Sequence, residues 1–179
     1  MATFYLLPDG VTGTNNWTCS VGSDFVTLVD EDFDGTYIWE TLINGEITYT
    51  FADPSVAEAN IDFGEDVTVS AFAHAHYTHS TLVAFLQLTT AGTDILLPGV
   101  TQNVDDSVYP AYAGTSGTTK NAGVDWDYAG LQNLQMKLKL TNRAARFHYL
   151  RVSYVFFQVD YTEAAVAVTD NATFFGSNF

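Results

Sequence analysis

The sequence predicts an all-β protein, a two-sheet antiparallel β-sandwich of jelly-roll type with an extended C-terminal arm. Three observations predict it. Apolar residues recur with period two over most of the chain. The short runs they form are separated by clusters of Gly, Pro, Asn and Asp. No segment carries a helical stripe, and 13 Phe and 10 Tyr in 179 residues supply the aromatic side chains that strands favour. Many short strands without helices bury their apolar faces by packing sheet on sheet.

Element by element, Phe4 to Leu7 reads as a first strand, stopped by Pro8-Asp9-Gly10, with a turn cluster over 11–16. Trp17 to Val21 and Phe25 to Asp30 read as strands, and an acidic loop runs from Asp30 to Gly35. Thr36 to Glu40 is expected to pair with Glu46 to Phe51 through a tight hairpin turn at Asn44-Gly45. A loop from Asp53 to about Gly64 precedes the strongest strand signal. There Val67, Val69, Ala71, Ala73 and Ala75 share one face, and Thr68, Ser70, Phe72, His74 and His76 share the other. Thr81 to Leu88 follows, then a short strand at Ile95 to Leu97. The stretch from Pro98 to Asp125, rich in Gly, Thr, Ser and Asp, reads as exposed loop with a strand near Val108 to Tyr112. Asp127 to Asn133 is one helical turn. Leu134, Met136, Leu138 and Leu140 alternate with Gln135, Lys137 and Lys139, the pattern of a half-buried strand. Tyr149 to Tyr161 is a long strand, apolar on both faces at Val155, Phe156 and Phe157, and belongs in the middle of a sheet. The sandwich is expected over 1–163. Residues 164–179 form the arm, whose Phe174, Phe175 and Phe179 are candidates for docking on another chain.

Composition narrows the function. Six Lys and Arg against 21 Asp and Glu leave a net charge of −15. Binding to a nucleic-acid duplex needs basic side chains on phosphates, and anionic membranes need the same, so neither partner is expected. One cysteine, Cys19, cannot close an internal disulfide. No basic flank with an apolar stretch opens the chain, so no secretory signal is expected, and no apolar run reaches the length of a membrane span.

Several groups could carry chemistry. Asp30, Asp32 and Asp34 stand at positions 1, 3 and 5 of a calcium-type loop with Gly35 at position 6, but position 12 is Thr41 where a bidentate Glu is required. His74 and His76, with His79 nearby, share a strand face as metal ligands two apart can do. The pair is superficially similar to that of the cupins, without their following Glu or preceding Gly. Neither set meets its pattern, so no cofactor is expected. No nucleophile elbow, P-loop or dinucleotide fingerprint is present, and no enzymatic role is expected. Trp17, Trp39, Trp126, Tyr109 and Tyr112 are candidates for a sugar platform, with the three Trp residues expected in the core.

Taken together, Leu7-Pro8-Asp9-Gly10 with Asn16-Trp17-Thr18, the acidic loop ending in Tyr37-Ile38, and Val67-Thr68-Val69 form a spaced pattern. Val124-Asp125-Trp126, the strand from Leu131 to Leu140, Arg151 to Val155, and Val159-Asp160-Tyr161 continue it. Over residues 5–162 the pattern resembles the β-sandwich virion proteins of tailed bacteriophages. That resemblance implies a structural role without catalysis: a capsid decoration or cement protein, assembled in the host cytoplasm into the virion. Its partners would be the major capsid protein and further copies of itself, a trimer among the symmetric arrangements. A tail, fibre or head-fibre module in host attachment, and a carbohydrate-binding module, are the alternatives.

Overall fold

The computed structural model describes residues 1–13, 15–26, 29, 37–40, 45–77, 84–90, 100–104, 111–119, 124–143 and 150–165. At 40, 75–77, 84–90, 100–104, 111–116 and 141–143 it is the backbone that is described. The strands are β1 (Ala2–Leu6), β2 (Pro8–Thr12), β3 (Thr18–Cys19), β4 (Ile38–Glu40), β5 (Glu46–Phe51) and β6 (Thr68–Tyr77). They continue as β7 (Ala84–Thr90), β8 (Val100–Val104), β9 (Ala111–Gly117), β10 (Gln135–Arg143) and β11 (Leu150–Tyr161), with one short helix, α1 (Tyr128–Gln132).

Two antiparallel sheets result. One has the order β3-β4-β11-β6-β9, with β1 also on β11, and the other the order β2-β5-β10-β7-β8. From β4 onward successive strands change sheet at every connection except β7 to β8, which gives the interleaved 4-11-6-9 and 5-10-7-8 orders of a jelly roll. The sandwich expected from the sequence is therefore the fold.

The alternation places the core. Val69, Ala71 and Ala73 of β6 and Val152, Val155, Phe157 and Val159 of β11 point inward from one sheet. Ile47, Tyr49 and Phe51 of β5 and Met136, Leu138 and Leu140 of β10 meet them from the other. Phe51 and Phe157 touch across the gap edge to face, centroids 4.6 Å apart. The small residues of β6 leave room for the large rings opposite. β11 is central as expected, with β6 along one side and β1 and β4 sharing the other. Helix α1 also lies where the sequence put it, its start capped by Asp127, whose carboxylate accepts from Gly130 N–H at 2.7 Å.

Four expectations need correction. Pro8-Asp9-Gly10 does not stop a strand. It opens β2, and the chain passes from one sheet to the other at Leu7, whose carbonyl accepts from Ala52 N–H. Proline is tolerated there because β2 lies at a sheet edge, with a bulge between Pro8 and Gly10. Next, β4 and β5 are not a hairpin pair: β4 joins β11 and β5 joins β10. Gly45, between them, accepts at its carbonyl from Leu140 N–H and Trp17 Nε1 instead. Third, Phe25 and Val26 form a turn in place of a strand, fastened by Asp24 Oδ1 accepting from Val26 N–H at 3.0 Å. Last, the polar stretch 98–125 holds β8 and β9, which end their sheets in the strand order, where one face of apolar side chains suffices.

Ala164, the first residue of the expected arm, donates its N–H to Asn60 O at 3.0 Å, and Glu163 bridges to Ile61. Phe174, Phe175 and Phe179 lie outside the described residues. Among the described residues no helix is long and apolar enough to cross a membrane.

Candidate functional site

The outward face of the β11 sheet carries rings. Register defines it row by row. Asp160 lies between Thr3 of β1 and Thr68 of β6, and Gln158 between Tyr5 and Ser70, with Ser116 of β9 beyond. Phe156 is opposite Phe72, itself opposite Gly114; Tyr154 is opposite His74, itself opposite Tyr112; and Arg151 lies between Trp39 and His76. A register shift between Val152 and Tyr154 keeps Tyr154 outward while Val152 stays in the core.

The middle of the face packs on itself. Phe72 and Phe156 stack at 4.9 Å with planes 20° apart, and Tyr154 leans on Phe156 at 4.7 Å. His74 meets Tyr154 edge-on at 5.3 Å, and these rings leave the imidazole 3% exposed. At the lower end the Arg151 guanidinium lies 4.4 Å over the Tyr37 ring.

Tyr5 differs. It meets Phe156 edge to face at 5.9 Å and 71°, and 55% of its surface is open. β1 alternates strictly, Phe4 and Leu6 into the core and Thr3 and Tyr5 outward, so the core residues on either side fix the ring's position. Beside it stands a prearranged polar set. One oxygen of Asp160 accepts from Thr3 Oγ1 at 2.5 Å, and the other accepts from Gln158 Nε2 at 2.8 Å. A carboxylate has about four lone-pair positions, so both oxygens can accept again. The arrangement is one accessible ring with, on the neighbouring strand, an amide directly opposite and a carboxylate on the diagonal, both held in place by hydrogen bonds.

The sequence-derived candidates fall elsewhere. Trp17 and Trp126 are core residues, 4% and 2% exposed, with indole N–H groups donating to Gly45 O and Gly117 O. Trp126 also backs a pocket of about 70 Å³ shared with Glu65, Asp66 and Asp125, a volume for a few waters. Trp39, expected in the core, is half-buried on the outward face, and Ile38 takes the inward position. Tyr112 sits in the His74 row by register, whereas Tyr109 lies outside the described residues. So do Asp30, Asp32, Asp34 and His79, and His76 is placed by register alone. Among the described residues no three His, Cys, Asp or Glu side chains are grouped as metal ligands. Cys19 is half-buried, and burial, then the nearby Asp24, pushes its thiol up and away from a reactive thiolate.

Sequence reasoning missed Tyr5, Gln158 and Asp160 as a group. The available signal was Phe156: a strand apolar on both faces, in a sandwich that buries one, must present rings on the other.

No protein-family model matches the chain, and no curated protein sequence does. Among solved structures it is similar to the CBM36-1 domain of a multidomain xylanase from the hindgut metagenome of Trinervitermes trinervoides. That match has 10% identity over 92% of this chain and 100% of that one, with a TM-score of 0.44. It is also similar to the CBM22-1 xylan-binding domain of Paenibacillus barcinonensis Xyn10C, with 12% identity over 90% of this chain and 95% of that one and a TM-score of 0.45.

Proposed function

We propose that this protein is a carbohydrate-binding module, with its site on the outward face of the β11 sheet at Tyr5. The observation that carries the reading is the exposed Tyr5 ring beside the Thr3–Asp160–Gln158 set. A pyranose presents an apolar C–H face and a rim of hydroxyls. An open ring accepts the first, and a fixed carboxylate and amide accept or donate to the second. The half-buried Phe72–Phe156 pair underneath keeps the ring from collapsing inward. Binding without chemistry suits a site where, among the described residues, one carboxylate stands beside the ring with a threonine and an amide.

Affinity electrophoresis of the full chain through gels containing soluble β-glucans or xylans tests this. Retardation of the parent protein and its loss in Tyr5→Ala are expected. Equal mobility of the two proteins in every gel refutes the reading.

A second reading is the virion role implied by the sequence resemblance. The feature in its favour is the middle of the same face, where the stacked Phe72 and Phe156 offer the aromatic surface enriched at the centre of protein contacts. Quantitative mass spectrometry of phage particles for copies of this chain tests it. A number comparable to the capsid protein supports decoration, a handful a fibre or tail component, and none refutes the reading.

A further inference from the structure

The charge around the Tyr5 site bears on which sugars it takes. The side chain that carries charge at neutral pH in the Thr3–Tyr5–Gln158–Asp160 group is an acid, Asp160. The described Lys and Arg side chains are far from it or engaged. Lys137 and Lys139 lie on the other sheet, where both ammonium groups reach Glu46, at 3.3 and 3.0 Å. Arg151 is on the same strand as Asp160 but nine residues away, roughly 30 Å at the rise of an extended strand, and it is occupied over Tyr37. That separation is several Debye lengths at physiological salt, so Arg151 does not offset Asp160. The chain as a whole carries −15. An anionic ligand would meet a carboxylate at contact distance within a repelling field.

Asp160 is also the wrong partner for an anion at short range. A carboxylate accepts and does not donate, so it pairs with sugar hydroxyls and cannot pair with the carboxylate group of a uronate or with a sulfate group. Its two oxygens point to separate donors, Thr3 and Gln158, and their remaining lone pairs suit two neighbouring hydroxyls of one ring.

Building on the carbohydrate-binding reading, we infer that this site selects neutral polysaccharides and excludes uronic-acid and sulfated ones, with Asp160 as the discriminating residue. Tyr5 supplies affinity for any pyranose face, and Asp160 converts that affinity into selection against charge. A second copy of this chain is disfavoured as occupant of the face by the same −15 charge.

The test uses the full chain, its Asp160→Asn and Tyr5→Ala variants, and two sets of gels: neutral β-glucan or xylan, and polygalacturonate. Each is run at low and at high salt. The parent should be retarded in at least one neutral gel and not in polygalacturonate at either salt. Asp160→Asn should weaken neutral binding roughly tenfold, the loss of about one charge-assisted hydrogen bond, and gain retardation in polygalacturonate at high salt, where the field of the remaining acidic groups is screened. Thermal unfolding of each variant establishes that it is folded. Retardation of the parent by polygalacturonate, lost in Tyr5→Ala, overturns the selectivity while leaving the binding site standing. No retardation of the parent by any glycan overturns both. Unchanged selectivity in a folded Asp160→Asn overturns the role given to that residue.

Discussion

The two outward faces of the sandwich come from the same alternation and differ in what occupies it. On the β11 sheet the outward positions hold Tyr5, Phe72, Tyr154, Phe156 and Trp39. On the β10 sheet they hold Thr48, Thr50, Gln135, Lys137 and Lys139, with Gln87, Thr89, Thr101 and one aromatic residue, Phe85, continuing the rows by register. The second face is what a solvated sheet requires: β-branched hydroxyls for strand propensity and long stems covering the backbone. Lys137 and Lys139 converge on Glu46 across the strands, and Thr48 is nearly covered between them. The sandwich needs only its inner faces to fold. A cluster of rings on an outer face therefore goes beyond the fold's requirements, and the contrast sets the β11 face apart.

The largest expected effect separates adjacent phenylalanines. Phe157 is fully buried against Phe51, and Phe156 is on the ring face. Phe157→Ala should cost about 3–5 kcal/mol in urea unfolding, and Phe156→Ala about a third of that. Equal losses would mean that the ring face is a second core and not a surface.

Next comes the junction that supplies Tyr5. A methyl group on Gly10 would meet Thr50 Oγ1 at 2.6 Å, and that hydroxyl donates to Asp9 Oδ1 at 2.7 Å. Gly10→Ala should destabilise by about 1–3 kcal/mol, seen as a lower urea midpoint. No change there would show that β2 is free to shift.

On the polar face, the Lys139 hydrogen bond, against some burial and with help from Lys137, holds the Glu46 carboxyl below its usual range. Its folded value lies below its unfolded one, so its contribution is complete above about pH 4.3 and fades as pH falls through the folded value. Glu46→Gln should cost about 0.2–1 kcal/mol at pH 7 and nothing in strong acid, by urea unfolding at several pH values. A loss that persists in acid would point to packing instead of charge.

The smallest stability change belongs to Tyr5→Ala, within about 0.5 kcal/mol, because the ring is mostly in water. Paired with lost glycan retardation, that result would isolate function from fold.

Much of this was legible in the sequence, and the boundary is physical. The faces of β6, β10 and β11 follow from period-two alternation, which reports what is buried. Alternation is the same in both sheets, so it could not show that β4 and β5 part company or that β1 and β2 divide at Leu7. The Tyr5 site was illegible for a different reason. Thr3 and Asp160 are 157 residues apart, and only the register of β1 on β11 brings them together. In isolation Thr3-Phe4-Tyr5 is an ordinary edge segment, and Gln158-Val159-Asp160 the polar end of a strand.

The pairing of β1 with β11 also dictates when the molecule can mature during synthesis. The first strand leaves the ribosome before its partner has been synthesised. At ribosomal speeds of about 5–20 residues per second, the interval before β11 emerges is roughly 8–30 s. Throughout it, Phe4 lacks the Tyr161 ring that packs on it edge to face. The Tyr5 row is thus completed only when two distant stretches of the chain meet, and a nascent chain arrested before residue 157 carries Tyr5 without Gln158 and Asp160 beside it.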